Sequence, residues 1–207
     1  MVPLATAAAA GAIGVAPHAQ AACGGVKHVA PARDLTPGRA PLAIGDSVML
    51  GALDEVARAG YEIDTRGCRR IEDGLAVIRK RRRAGRLPRL VVVALGTNRP
   101  NITLRDIRAA LRVLGRRRVL GLVTPRKSGG GAGADARTIR AAGRRFGRRV
   151  MVLDWVAVSA GRRDWFAGDG IHLGAGGAAG LGRLLNRGLR RVYPLVARFE
   201  LVGRRSF

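Results

Sequence analysis

Residues 89–96 read RLVVVALG, and this octapeptide limits the fold more than any other stretch. From Leu90 to Leu95 every residue is apolar, so neither face of a strand built from it can meet water. Such a strand belongs in the middle of a parallel sheet covered by helices on both sides. Four shorter apolar runs match it: PLAIG (41–45), YEIDT (61–65), RVLGLVT (118–124) and RVMVLDW (149–155). Between them the apolar spacing turns helical. The predicted helices are 48–60, 71–85, 103–115 with Thr103 as N-cap, 135–147, and a glycine-interrupted last helix over 175–193. The segments 125–134 and 156–173 read as loops, the first rich in glycine.

Five strands alternating with helices predict an α/β domain: three α/β/α layers around a five-stranded parallel sheet, wound as in flavodoxin-like folds. The domain is expected over residues 40–193, after an irregular lead-in at 23–39 and before a basic tail at 194–207. A chain of 207 residues that is 47% hydrophobic suffices for one such core. In parallel sheets of this kind ligands sit outside the carboxyl ends of the strands, so the chemistry is expected there.

Three of those places carry suggestive residues. The first strand ends in Gly45-Asp46-Ser47, and a helical pattern starts at once. The central strand ends in Gly96-Thr97-Asn98. The loop after the last strand holds DGIHL, with Asp169 and His172 three residues apart. A serine hydroxyl becomes a useful nucleophile when a histidine takes its proton. A carboxylate on the imidazole fixes the tautomer and stabilises the imidazolium. Ser47 at a helix start also lies beside free backbone N–H groups, which with the Asn98 amide could face an oxyanion. Nucleotide binding fits poorly, because GDSVMLG has neither Walker nor dinucleotide glycine spacing.

Together these motifs resemble the SGNH (GDSL-type) hydrolase superfamily, over roughly residues 40–193. IGDSVMLG resembles its first block, LGTN its third and DGIHL its last. The likeness is greatest to SGNH domains of bacterial envelope proteins that act on O-acyl, often O-acetyl, groups of surface glycans. The resemblance implies an SGNH hydrolase fold and an esterase or O-acyltransferase with Ser47, His172 and Asp169 as catalytic residues. It implies an oxyanion hole from Ser47, Gly67 and Asn98, with the Cys68 N–H as an alternative to Gly67. Asp46 is expected to shape the turn. No cofactor or metal is implied, and a monomer acting on a small-molecule or glycan acyl ester is expected.

Charge and cysteines bear on location and partners. The first 22 residues are uncharged and end near AQA (19–21), as a secretory signal does, though a basic start is missing. That predicts a secreted or envelope protein without stable membrane insertion; if the segment is no signal, the chain stays cytoplasmic. An exported chain could join Cys23 to Cys68, the alternative being two unrelated thiols. The formal charge of +24, with a dense run RKRRR at 79–83, would attract an anionic wall polymer, or be a solvated face. Aromatics at 4% leave few platforms for stacking bases, which argues against nucleic acid. A catalytically idle basic module that binds anionic polymer is the alternative to the enzyme. Trp155, Trp165 and Phe166 could pack the core or line a pocket, and Arg69, Arg70 and Arg99 fall near strand ends.

Overall fold

The computed structural model describes residues 23–194. The signal-like segment 1–22 and nearly all of the tail 194–207 lie outside the described residues. Strand β1 (Lys27–Val29) comes first. Then follow β2 (Leu42–Gly45), α1 (Ser47–Leu50), α2 (Leu53–Arg58) and β3 (Glu62–Thr65). Next come α3 (Ile71–Arg83), β4 (Leu90–Ala94), α4 (Leu104–Leu114) and β5 (Val119–Val123). The chain closes with α5 (Ala134–Phe146), β6 (Val150–Leu153), α6 (Trp155–Val158) and α7 (Ala175–Val192).

The sheet order is β1-β3-β2-β4-β5-β6. From β3 to β6 every pair is parallel, with Gly45 opposite Ala94 and Val93 opposite Leu122. The chain goes outward from β2 to β3, then returns past β2 to β4, so the winding reverses between β2 and β4. A crevice at such a reversal is where α/β sheets hold ligands.

Alternation of side chains splits the interior into two layers. Ala43 and Val92 join Val56, Leu181, Leu185 and Leu189 under α2 and α7. Leu42, Ile44, Val91 and Val93 join Ile78, Ile107, Leu111 and Ile139 under α3, α4 and α5. The octapeptide at 89–96 is thus covered on both faces. Thr103 caps α4, as its position in sequence suggests: its hydroxyl accepts from the Asp106 N–H at 3.3 Å. The Thr103 N–H donates back to the Asp106 carboxylate at 2.9 Å.

The structure corrects two expectations. The sheet has six strands rather than five and is mixed, because the lead-in contains β1, antiparallel to β3. Three residues with two exposed side chains have no periodicity to read; pairing with β3 makes them a strand. The first helix, read as continuous, breaks into α1 and α2 at Gly51-Ala52, where Gly51 closes against Leu173. Within the polybasic run, Arg81 reaches β3 and pairs with Glu62 at 2.5 Å, while its neighbours on α3 are exposed.

The interruptions of α7 have a packing cause. A Cβ on Gly180 would lie 2.5 Å from the Trp165 ring, and one on Gly177 2.3 Å from the Trp165 carbonyl. The glycines let α7 close on Trp165, which stacks on the buried Trp155 with centroids 5.8 Å apart. Phe166 meets Trp155 edge-on at 5.9 Å. These aromatics build the wall behind the 166–173 loop.

Candidate active site

The corner at Ser47 is built by its two predecessors. Gly45 ends β2 with no room for a side chain: a Cβ there would lie 2.4 Å from that of Met49. Asp46, 1% exposed, is the N-cap of α1. Its Oδ1 accepts from the Val48 N–H at 3.0 Å and its Oδ2 from the Thr97 hydroxyl at 2.6 Å. The Asp46 carbonyl accepts from the Thr65 hydroxyl at 2.9 Å. Burial pushes the Asp46 carboxyl above its ordinary range, against these hydrogen bonds. Asp46 therefore ties the ends of β2, β3 and β4 together, which leaves half-buried Ser47 as the first helical residue. The backbone N–H of a first helical residue has no partner within its helix.

The opposite wall is a tight turn. Asp169 Oδ1 accepts from the N–H groups of Ile171 at 2.9 Å and His172 at 3.0 Å. Asp169 Oδ2 lies 2.5 Å from His172 Nδ1, and His172 Nε2 lies 3.0 Å from Ser47 Oγ. Burial opposes ionisation of Asp169. The Ile171 N–H, the His172 ring and the His172 N–H outweigh it, and the carboxyl falls below its ordinary range. An ionised Asp169 can hold Nδ1 as the protonated nitrogen and leave Nε2 open to accept from the serine.

Arg126, which sequence reasoning passed over, braces this turn together with the glycine-rich loop. Arg126 donates to the Gly170 carbonyl at 2.8 Å and to the Ser159 hydroxyl at 2.9 Å, with its guanidinium 4.0 Å over the Phe166 ring. The Gly129 N–H donates to the Asp169 carbonyl at 3.0 Å. Gly170 sits at φ +69, and a Cβ there would lie 3.1 Å from the Gly130 nitrogen and 3.2 Å from the Gly129 carbonyl carbon, so the glycine-rich loop props the Asp169–His172 turn from behind. Asp154 accepts from Arg140 at 2.8 and 3.0 Å and from the Ala157 N–H at 3.2 Å, fixing the start of α6 and thus Trp155.

The residues named for the oxyanion hole lie at three adjacent strand ends. Ser47 follows β2, buried Gly67 follows β3, and Asn98 follows β4. Asn98 Nδ2 donates to the Arg69 carbonyl and lies near the Thr97 hydroxyl, both at 3.3 Å. Cys68 has a left-handed backbone, φ 54, and is joined to Cys23 with Cα atoms 5.1 Å apart. A cleft of about 310 Å³ runs from Thr97 and Asn98 past Arg99 and Lys127 to Ile171. Trp155 is core packing beneath the site, and Trp165 is half-buried. Among the described residues no cluster of three histidine, cysteine or carboxylate side chains is arranged to hold a metal ion. Nor is any described helix long and apolar enough to cross a membrane.

No protein-family model matches the chain, and no curated protein sequence does. Solved structures do. The C-terminal catalytic domain of Streptococcus pneumoniae peptidoglycan O-acetyltransferase A (OatA), with a methylsulfonyl adduct, has a TM-score of 0.64 at 21% identity; the match covers 75% of this chain and 94% of that one. A GDSL-like lipase from Bacteroides thetaiotaomicron gives 0.58 at 13%, covering 73% and 87%. A protein assigned to the SGNH hydrolases, from Slackia heliotrinireducens, gives 0.56 at 16%, covering 73% and 98%. At these identities the likeness shows the fold: the chain has the α/β fold of the SGNH (GDSL-type) hydrolases.

Proposed function

We propose that the chain is a serine esterase or O-acyltransferase that works through an acyl-enzyme on Ser47, with acetyl esters of cell-envelope glycans as its substrates. The observation that carries this reading is the unbroken line from Asp169 Oδ2 to His172 Nδ1 at 2.5 Å and from Nε2 to Ser47 Oγ at 3.0 Å. Chance placement would not bring a carboxylate, an imidazole and a hydroxyl from residues 125 apart into that order at the ligand-binding edge of the sheet.

Ser47 Oγ attacks the ester carbonyl while His172 Nε2 takes the hydroxyl proton. Asp169 holds the ring and stabilises the imidazolium. The carbonyl oxygen becomes an oxyanion facing the N–H groups of Ser47 and Gly67 and the Asn98 amide, at a site where each such donor lowers the barrier by about 2.7–4 kcal/mol. The tetrahedral intermediate collapses, His172 protonates the departing alcohol, and the acyl group stays on Ser47. A second hydroxyl, of water or of a sugar, then repeats the sequence in reverse and carries the acyl group away. Water gives an esterase and a sugar gives a transferase.

The glycan reading rests on the Streptococcus pneumoniae relative, a peptidoglycan O-acetyltransferase. The Cys23–Cys68 bond supports an oxidising compartment outside the cytoplasm. The test is hydrolysis of p-nitrophenyl acetate by the purified chain beside Ser47→Ala and His172→Ala, followed by addition of oligosaccharide acceptors. The parent should turn over and both variants should lose about 10³-fold or more in kcat. Equal rates in all three would mean that the esterolysis is adventitious and would move the idle basic module to first place.

A further inference from the structure

From the geometry around Arg69 we infer that this buried side chain is a positioning residue for the oxyanion hole, setting Asn98 and the Gly67-Cys68 peptide relative to Ser47. The inference rests on the esterase reading above. In a chain with 38 basic residues an arginine is expected at the surface, yet Arg69 is 2% exposed. Its guanidinium spans two strand ends. Nη2 donates to Asp64 Oδ1 at 2.6 Å, and Nη1 donates to the Asp64 carbonyl and, at 3.4 Å, to the Gly45 carbonyl. Gly45 is two residues before Ser47 and also accepts from the Arg66 N–H at 3.3 Å. The third strand end is reached through the Arg69 main chain, whose carbonyl accepts from Asn98 Nδ2 at 3.3 Å. One residue thus touches the segments that carry all three proposed oxyanion donors.

Its surroundings leave the loop little freedom to settle elsewhere. Cys68, its immediate neighbour, is held at φ 54 and tied to Cys23. Asp64, its partner, is itself buried, with Oδ2 3.4 Å from His28 Nδ1 on β1. Arg69 Nε is buried without a hydrogen-bond partner. An orphaned donor of this kind persists where a side chain is held by its other contacts. A planar fork that bonds a carboxylate and two carbonyls at once is a task for arginine, and a lysine ammonium cannot repeat it.

The test is Arg69→Lys in the full chain, with kcat and KM for p-nitrophenyl acetate measured in the parent and in an Asn98→Ala background, and Ser47→Ala alongside. Loss of one oxyanion donor lowers kcat by about 10²–10³-fold, so a misplaced donor should lower it by roughly 10- to 100-fold. KM should move less than about twofold, because the contact matters in the transition state. In the Asn98→Ala background the Arg69→Lys effect should shrink, because the share acting through the Asn98 amide is already lost and only the share acting through the Gly67-Cys68 peptide remains. Equal losses in both backgrounds, or a folded Arg69→Lys variant with parental kcat, would overturn the inference. If Arg69→Lys does not fold, the paired replacement Asp64→Asn with Arg69→Met removes both charges and is read by the same cycle. An active Ser47→Ala would defeat the esterase reading itself; an inactive Ser47→Ala beside a fully active Arg69→Lys defeats this inference alone.

Discussion

Cutting the Cys23–Cys68 bond should cost stability that can be worked out from the chain length it closes. The sequence separation is 45 residues. Loop-closure entropy of about −2.1 − 1.5R ln n then comes to about −13 cal/mol/K, or about 4 kcal/mol at 25 °C. For a chain of this size 1 kcal/mol moves the melting point by about 2–4 °C, so Cys23→Ser should melt about 8–16 °C below the parent. Replacing the other partner separates the cross-link from the backbone, because Cys68 sits at φ 54. Glycine adopts that conformation freely, and Cys68→Gly should recover about 1 kcal/mol relative to Cys23→Ser. The assay is reversible thermal or urea unfolding with and without reductant, with thiol titration of the unfolded, unreduced chain. Reductant should lower the parent midpoint and leave both variants unmoved. Two free thiols in the unreduced parent, or a midpoint indifferent to reductant, would refute the cross-link and the magnitude with it.

Two further outcomes follow from buried contacts. Gly180→Ala places a Cβ 2.5 Å from the Trp165 ring, so α7 must shift outward; a loss of about 1–3 kcal/mol is expected, read by the same melts. Asp46→Asn should be at least as stable as the parent at pH 7. Burial raises the Asp46 carboxyl in the folded state, so the folded chain holds that proton more tightly; stability falls as pH rises from the unfolded value of about 3.9 through the raised one, and the cost of the buried charge persists above it. Below about pH 4 the variant and parent should converge, and an Asp46→Asn variant less stable than the parent at pH 7 would show that the ionised carboxylate, not burial, dominates.

What could be read from the sequence divides by physical type. Strand β4 was legible because a strand apolar on both faces has only one environment that suits it. That Ser47 and Asn98 share one edge of the sheet was legible because parallel winding sends every strand end there, whereas His172 comes from the loop ahead of α7, well past the end of β6. Strand β1 was not, since Lys27, His28 and Val29 acquire strand geometry only from pairing with β3. Buried Arg69 and half-buried Arg126 were the least legible, because nothing local separates such an arginine from the many on the surface. The better guide in so basic a chain is the minority charge. Only 14 residues are acidic, against 38 basic, and an acid with cations in excess needs no special site to find a partner. Yet Asp46, Asp64, Asp154 and Asp169 all accept bonds that fix the carboxyl end of a strand or the turn facing it, and Asp135 holds the Ile102 N–H beside the same cleft. Each of these carboxylates orients backbone or a side chain rather than simply neutralising charge. In an arginine-saturated sequence the aspartates therefore mark where the fold demands a defined acceptor, and Asp64, read that way, would have pointed to Arg69 five residues on.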